Sequence, residues 1–198
     1  MNRLHTSTRN KRRPFIKVCG QTYTGSVDCA AAYGAEYIGF NFCKGSNRRV
    51  TPLHAAQMNS CLVKRVGVFD AQGAEEVCCI MQQARLHLAQ LQGHHTPAEG
   101  KRIGASRVIR TLRVHSGETA AAVQAEVDAW APACCAFVVE CGNASLLRRV
   151  RFPHPWLLSG RMNPALLGRM LHLCRPHGVD IESGWTTSET LAALRAVI

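Results

Sequence analysis

A single (β/α)8 barrel is the fold class this sequence predicts, and three observations predict it. Short apolar strands alternate with helical stretches from Phe15 to the end of the chain. The strand–helix units number eight at about 25 residues apiece, which makes a small member of the class. The strands read as near-continuous apolar runs, as strands buried on both faces do. A doubly wound open sheet is the runner-up architecture. No linker, low-complexity run or second composition regime divides the chain. The expectation is therefore one barrel domain over residues 15–198, preceded by a flexible basic arm over residues 1–14.

The first strand is Phe15 to Val18, running into Cys19-Gly20, where glycine allows a sharp exit. Ser26 to Gly34 has helical spacing, with Val27, Ala30, Ala31 and Tyr33 toward the buried side and Gly34 as the stop. Tyr37 to Phe42 is the second strand and Cys43 to Arg49 a polar loop; Thr51-Pro52 opens a helix with a cap followed by proline. Val63 to Phe69 is a strand, Ala74 to Leu86 an amphipathic helix, and Leu88 to Leu91 a strand ending in Gln92-Gly93. A helix near Pro97 to Ser106 is poorly marked, because Gly100 and Gly104 weaken it.

Val108 to Val114 is the fifth strand, and Glu118 to Trp130 a clear helix between Gly117 and Pro132. Cys134 to Cys141 is the sixth strand, and Asn143 to Val150 leaves room only for a short helix. Trp156 to Ser159 is a strand, Asn163 to Cys174 a helix, and Val179 to Ile181 the eighth strand, leading into Glu182-Ser183-Gly184-Trp185. Thr187 or Ser188 caps a last helix to Ile198.

Composition removes several classes. No stretch approaches the ~20 consecutive apolar residues of a membrane span. The polar, basic start from Met1 to Pro14 lacks the apolar centre of a secretory signal. The ten cysteines have no Cys-x-x-Cys spacing, and the chain is rich enough in aliphatic segments to need no disulfide scaffold. They read as reduced thiols, mostly at small buried positions, in a cytoplasmic protein. The formal charge of +11 suits a polyanion, and nucleic acid is the standing alternative partner. Part of that excess lies in Arg3, Arg9, Lys11, Arg12 and Arg13 of the arm, and no aromatic interleaving suggests base stacking. A small anionic substrate also suits the surface.

Barrels collect function where strands end. Those ends here offer Cys19, Ser46-Asn47-Arg48-Arg49, Asp70, Gln92, Arg113, Glu140, Ser159-Gly160-Arg161 and Asp180 to Gly184. A thiol, a carboxylate and an arginine can serve as base, acid and anion clamp, although a lone cysteine is more often a small buried hydrophobe. No Gly-x-Gly-x-x-Gly, P-loop or His-Glu-x-x-His motif occurs, and His94-His95 reads as part of a solvated loop rather than a metal site.

Five stretches resemble phosphoribosylanthranilate isomerase in the order and spacing of that family. They are Lys17-Val-Cys-Gly; Ala35-Glu-Tyr-Ile-Gly-Phe-Asn-Phe with Ser46-Asn-Arg-Arg-Val; Val66-Gly-Val-Phe; Gln90-Leu-Gln-Gly; and Gly178-Val-Asp-Ile-Glu-Ser-Gly. The resemblance implies an Amadori rearrangement of a phosphosugar substrate in a barrel without cofactor or metal, working as a monomer or homodimer. Residue by residue it implies Cys19 as the base, Glu140 as the acid in place of the usual aspartate, and Arg48 facing the anthranilate carboxylate. Ser159 and Gly160, with Ser183 and Gly184, correspond to the phosphate-binding turns.

The chain departs from that pattern in four places. The family's Gly-Gly-x-Gly loop after the sixth strand is missing. Ser159-Gly160-Arg161-Met162 replaces Ala-Gly-Gly-Leu, and Gln90-Leu-Gln-Gly-His-His replaces Gln-Leu-His-Gly-Asp-Glu. Glu182 stands where the family has a serine beside the phosphate; two unit charges repel by about 1 kcal/mol at 4 Å in water. A barrel that keeps the shape and serves as a catalytically inactive binding or interaction protein, for a polyanion through its arm, is the alternative reading.

Overall fold

The structure, a computed structural model, describes residues 14–58, 63–160 and 164–182. The basic arm and the expected last helix lie outside the described residues. Eight strands close into a barrel in chain order: β1 (Phe15–Cys19), β2 (Tyr37–Asn41), β3 (Lys64–Phe69), β4 (Leu88–Leu91), β5 (Val108–Arg113), β6 (Ala136–Glu140), β7 (Trp156–Ser159) and β8 (Gly178–Glu182). Every neighbouring pair is parallel, including β1 on β8, so the open-sheet alternative is set aside. Between them run α1 (Thr24–Ala32), α2 (Pro52–Gln57), α3 (Ala74–Gln83), α4 (Pro97–Ile103), α5 (Ala120–Trp130), α6 (Ala144–Leu147) and α7 (Pro164–Cys174). Among the described residues no helix is long and apolar enough to cross a membrane.

The register sorts each strand into two faces. Ile16, Val18, Ile38, Phe40, Phe69, Leu91, Phe137, Val139, Leu158 and Val179 turn outward and form the core under the helices. Alternate residues turn into the barrel, where Val66, Ile109, Val138 and Leu157 make an apolar floor. Above that floor the interior becomes polar. Lys17 is fully buried and its ammonium meets the Asp180 carboxylate at 2.7 Å. The Gln90 amide donates to the Thr111 hydroxyl at 3.0 Å.

Local chemistry sets the element ends. The Thr51 hydroxyl accepts the His54 N–H, with Pro52 in the first turn, and so starts α2. Helix α4, poorly marked in the sequence, has a full capping box of Thr96 and Glu99. Its weakening residue, Gly100, is there for packing: a β-carbon would lie 2.7 Å from the Ala133 carbonyl oxygen and 2.9 Å from the Trp130 ring. The Asn143 side chain caps α6, which is only four residues long. Strand β6 is shorter than its apolar run, because Cys134 follows a single 3-10 turn over Ala131–Ala133 and packs outside the ladder. Helix α1 begins two residues before the expected Ser26.

Two expectations about polar loops and thiols are corrected. Cys78 and Cys79 are exposed, because α3 turns that pair to solvent while Val77 and Met81 face the core. His95 is buried, and its Nε2–H donates to the Gln72 carbonyl at 2.9 Å, tying two mouth loops together.

Arg65 is a buried cation facing outward from β3. Its guanidinium donates to the Ala55 and Met58 carbonyls at the end of α2 and to the Ala84 and Arg85 carbonyls after α3. It also lies 4.6 Å from the Phe40 ring centroid. Helix C-termini carry partial negative charge, so one cation serves two of them. Replacing it leaves several carbonyls unsatisfied. Arg65→Met is expected to lower unfolding free energy in urea by about 2–4 kcal/mol; a loss under about 0.5 kcal/mol, the size of a surface change, would contradict this role.

Candidate active site

The polar interior opens at the carboxyl ends of the strands into two joined cavities. One, of about 490 Å³, is lined by Cys19, Asn41, Arg48, Gln90, Glu140, Ser159, Asp180 and Glu182 among others. The other, of about 720 Å³, shares Asn41, Ser46, Gln92, Glu140, Ser159 and Glu182 and extends over Cys43, Asp70, Arg113 and Gly160. Each falls in the range of small-ligand sites. The short α6 and the glycine at 142 leave this mouth open on the β6 side.

Cys19 reaches the mouth because its neighbours yield space. It ends β1 on the inner face, beside Gly39 of β2 and Glu182 of β8. A β-carbon at Gly39 would lie 2.8 Å from the Cys19 sulfur, so only glycine fits there without a shift. Burial pushes the Cys19 thiol up; Lys17 pulls it back, and Asp180 and then Glu182 push the same way as burial, leaving it above its ordinary value. Burial alone would lower the Lys17 ammonium, but Asp180 and the Cys19 sulfur outweigh it and hold that proton more firmly than usual. Cys43, the neighbouring thiol on the same rim, is pushed up to about 12 by burial and then by Asp70. Its sulfur accepts from the Gln92 amide at 3.1 Å.

Arg48 sits in a loop that the backbone holds tightly. Asn41 Oδ1 accepts the Cys43 N–H at 2.8 Å, Ser46 Oγ accepts the Arg48 N–H at 3.2 Å, and the Val50 N–H returns to the Asn41 carbonyl at 2.9 Å. Glu140 ends β6 on the inner face, and its Oε2 accepts from Arg113 Nε at 3.0 Å. That pair is half exposed, so it orients the carboxylate more than it stabilises the fold. Gln90 is 3% exposed and lines the smaller cavity; its Oε1 has no partner among the described residues, while its Nε2 donates to Thr111.

Of the residues singled out in the sequence, Cys19, Arg48, Glu140 and Ser159 therefore line one cavity. Gly160 lines the adjoining one, and Glu182 lines both. Ser183 and Gly184 lie outside the described residues, as does Arg161. Sequence reasoning missed four contributors. Arg113 was visible only as a strand end, and Lys17, Asp180 and Gln90 only as members of matching stretches to which no role was given. A charged or amide residue with inward parity in an apolar strand was the available signal.

If burial governs Cys19 as described, its alkylation by iodoacetamide, followed on its own peptide by mass spectrometry, should still be accelerating at the top of the ordinary thiol range. A rate that levels off below that range would contradict the account.

The family described as N-(5′phosphoribosyl)anthranilate (PRA) isomerase matches this sequence over residues 16–188. An N-(5′-phosphoribosyl)anthranilate isomerase of Desulfovibrio desulfuricans is 40% identical over 179 residues, covering 85% of each chain. The crystal structure of the phosphoribosyl anthranilate isomerase of Thermus thermophilus superposes with a TM-score of 0.79 at 29% identity, covering 92% of this chain and 97% of that one. Another, solved in complex with reduced 1-(o-carboxyphenylamino)-1-deoxyribulose 5-phosphate, has a TM-score of 0.79 at 22% identity, covers 92% of this chain and 96% of its own, and shares the fold.

Proposed function

The chain belongs to the N-(5′-phosphoribosyl)anthranilate isomerase family, and we propose that its reaction is the Amadori rearrangement of N-(5′-phosphoribosyl)anthranilate to 1-(2-carboxyphenylamino)-1-deoxyribulose 5-phosphate. The observation that carries this reading is the convergence of a thiol, a carboxyl group and a guanidinium, Cys19, Glu140 and Arg48, on one cavity at the strand ends.

Glu140 gives its proton to the furanose ring oxygen as the C1′–O bond breaks, and the anilino nitrogen lone pair forms the C1′=N bond. Cys19, as thiolate, then takes the C2′ proton; the C–H electrons become the C1′=C2′ bond and the C=N pair returns to nitrogen. The resulting enolamine becomes the ketone when the 2′-hydroxyl proton leaves and C1′ gains one. No atom is added or lost. Arg113 aims the Glu140 carboxyl across the mouth, which matters because the longer glutamate has more freedom than an aspartate. Arg48, set by its loop, takes the anthranilate carboxylate as a charge-assisted pair.

The phosphate is assigned to the β7 turn at Ser159 and Gly160 together with Ser183 and Gly184. Backbone N–H groups bind such an anion whatever side chains flank them, and α7 follows the first of these turns. Glu182 ends β8 beside Cys19, so its carboxylate belongs to the thiol's surroundings as well as to the phosphate's. The substrate is the partner in this reading, and the cytoplasm, where such phosphosugars are made, is its compartment.

Turnover is read as loss of the substrate's fluorescence. Cys19→Ala and Glu140→Gln should each lose at least about 10²-fold in kcat, the lower end of what a general base or acid contributes, with melting temperatures close to the parent's. Full activity in Cys19→Ala would remove the thiol from the mechanism, and full activity in Glu140→Gln would remove the acid.

A further inference from the structure

Beneath the mouth lies a charge pair to which the reaction described above gives no task. Lys17 and Asp180 are inner-face residues of β1 and β8, cross-strand partners 2.7 Å apart and almost wholly enclosed. Exchanging a buried ion pair for apolar side chains is often neutral or stabilising, so packing alone gives no reason for charge at this level. Cys19 supplies one. It lies two residues after Lys17 on the same inner face of β1, one step above the Lys17–Asp180 pair, and the Lys17 charge acts on its sulfur.

Resting on the reading of Cys19 as the base, we propose that Lys17 is a positioning residue for that base. Held by Asp180 in the layer below, it supplies the positive charge against which the Cys19 thiolate forms.

The surroundings of the thiol make that charge necessary. Asp180 and Glu182 of β8 both oppose an anion on sulfur, as does burial. Cys43, from the loop after β2, is a second thiol on this rim, pushed up by burial, then by Asp70, and in smaller part by Cys19. Arg48 and Glu140 share the cavity from the loop after β2 and from β6. Among the described residues, Lys17 is the positive charge whose pull on the Cys19 sulfur opposes burial, Asp180 and Glu182. Asp180 has two effects: it anchors Lys17 and keeps it protonated, and it draws part of that charge away from the sulfur. When Cys19 takes the C2′ proton and becomes neutral, Lys17 is left with Asp180 as its partner. The cation is therefore paired at both stages, and no buried charge stands alone during the cycle.

The test uses Asp180→Asn and the double variant Lys17→Gln/Asp180→Asn, so that the lysine is removed without leaving a buried carboxylate unpaired. Iodoacetamide labelling of the Cys19 peptide is followed by mass spectrometry across pH, with circular dichroism to establish folding. Asp180→Asn should label faster than the parent at neutral pH, since Lys17 then has the thiolate as its main partner. Adding Lys17→Gln should slow labelling by about tenfold or more, as loss of an opposite charge at that range does. It should also move the rate–pH curve to higher pH and lower kcat with little change in KM. Equal labelling rates and coincident pH curves in the two variants would overturn the proposal. Should either variant fail to fold, the unaltered protein carries the same test by NMR: the Asp180 carboxyl carbon must respond at the pH where the Cys19 β-carbon titrates, and an unresponsive Asp180 would overturn it. The base reading fails separately, through retained turnover in Cys19→Ala, whatever the labelling shows.

Discussion

The Lys17–Asp180 ion pair joins the first strand of the barrel to the last, across 163 residues of chain. It lies at the level where the interior changes character. Below it Val66, Ile109, Val138 and Leu157 exclude water, and above it the inward positions toward the rim are mostly polar or ionisable, with Val68 the apolar exception among those lining the smaller cavity. A buried pair of this kind demands good geometry on both sides, because either charge alone in such a place is costly. The closure of β1 on β8 is therefore tied to the placement of the residues above it. Cys19 and Glu182 sit one inner-face step up the same two strands and inherit their register from it.

The rest of the mouth is assembled from backbone constraints more than from side-chain packing. Gly39 makes room for the sulfur, Asn41 and Ser46 fold the loop that carries Arg48, and Arg113 pairs with Glu140 at the rim. After the sixth strand, where the sequence lacks the family's glycine-rich loop, this chain has a four-residue helix capped by Asn143. The cavities stay wide there. The candidate residues stand on strand ends and in one tightly held loop, and the departures from the family pattern lie mainly in the loops, as the barrel architecture allows.

The fold was legible because its signals are local. Apolar runs of strand length, glycine stops and Thr-Pro or Asn-Pro helix starts recur in order along the chain, and they yield the strand order correctly. Element ends were less legible, since Cys134 continues the apolar run of β6 yet packs outside its ladder. Cys19, Arg48 and Glu140 could be picked out because each sits in a short stretch whose meaning is local. Lys17, Asp180 and Gln90 lie in stretches the sequence marks, but, as for Thr111, what they contact arises only when distant strands pair and turn the same way. The same holds for Arg65, whose partners are helix ends on either side of its strand, and for His95, buried by a contact with Gln72 that no adjacent-histidine pattern encodes. The phosphate turn at Ser183 and Gly184 rests on the resemblance and on family membership, since those residues lie outside the described ones.

The most direct test of the account is a crystal structure of the protein with reduced 1-(o-carboxyphenylamino)-1-deoxyribulose 5-phosphate, a compound that a solved relative binds. The account predicts the aryl carboxylate on Arg48 and the phosphate at the Ser159–Gly160 turn. It also predicts the carbon corresponding to C2′ within roughly 3.5 Å of the Cys19 sulfur, with the Glu140 carboxyl near the former ring oxygen on the other side. A ligand bound in the reverse sense, with its phosphate on Arg48 and its sugar carbons out of reach of Cys19, would contradict it.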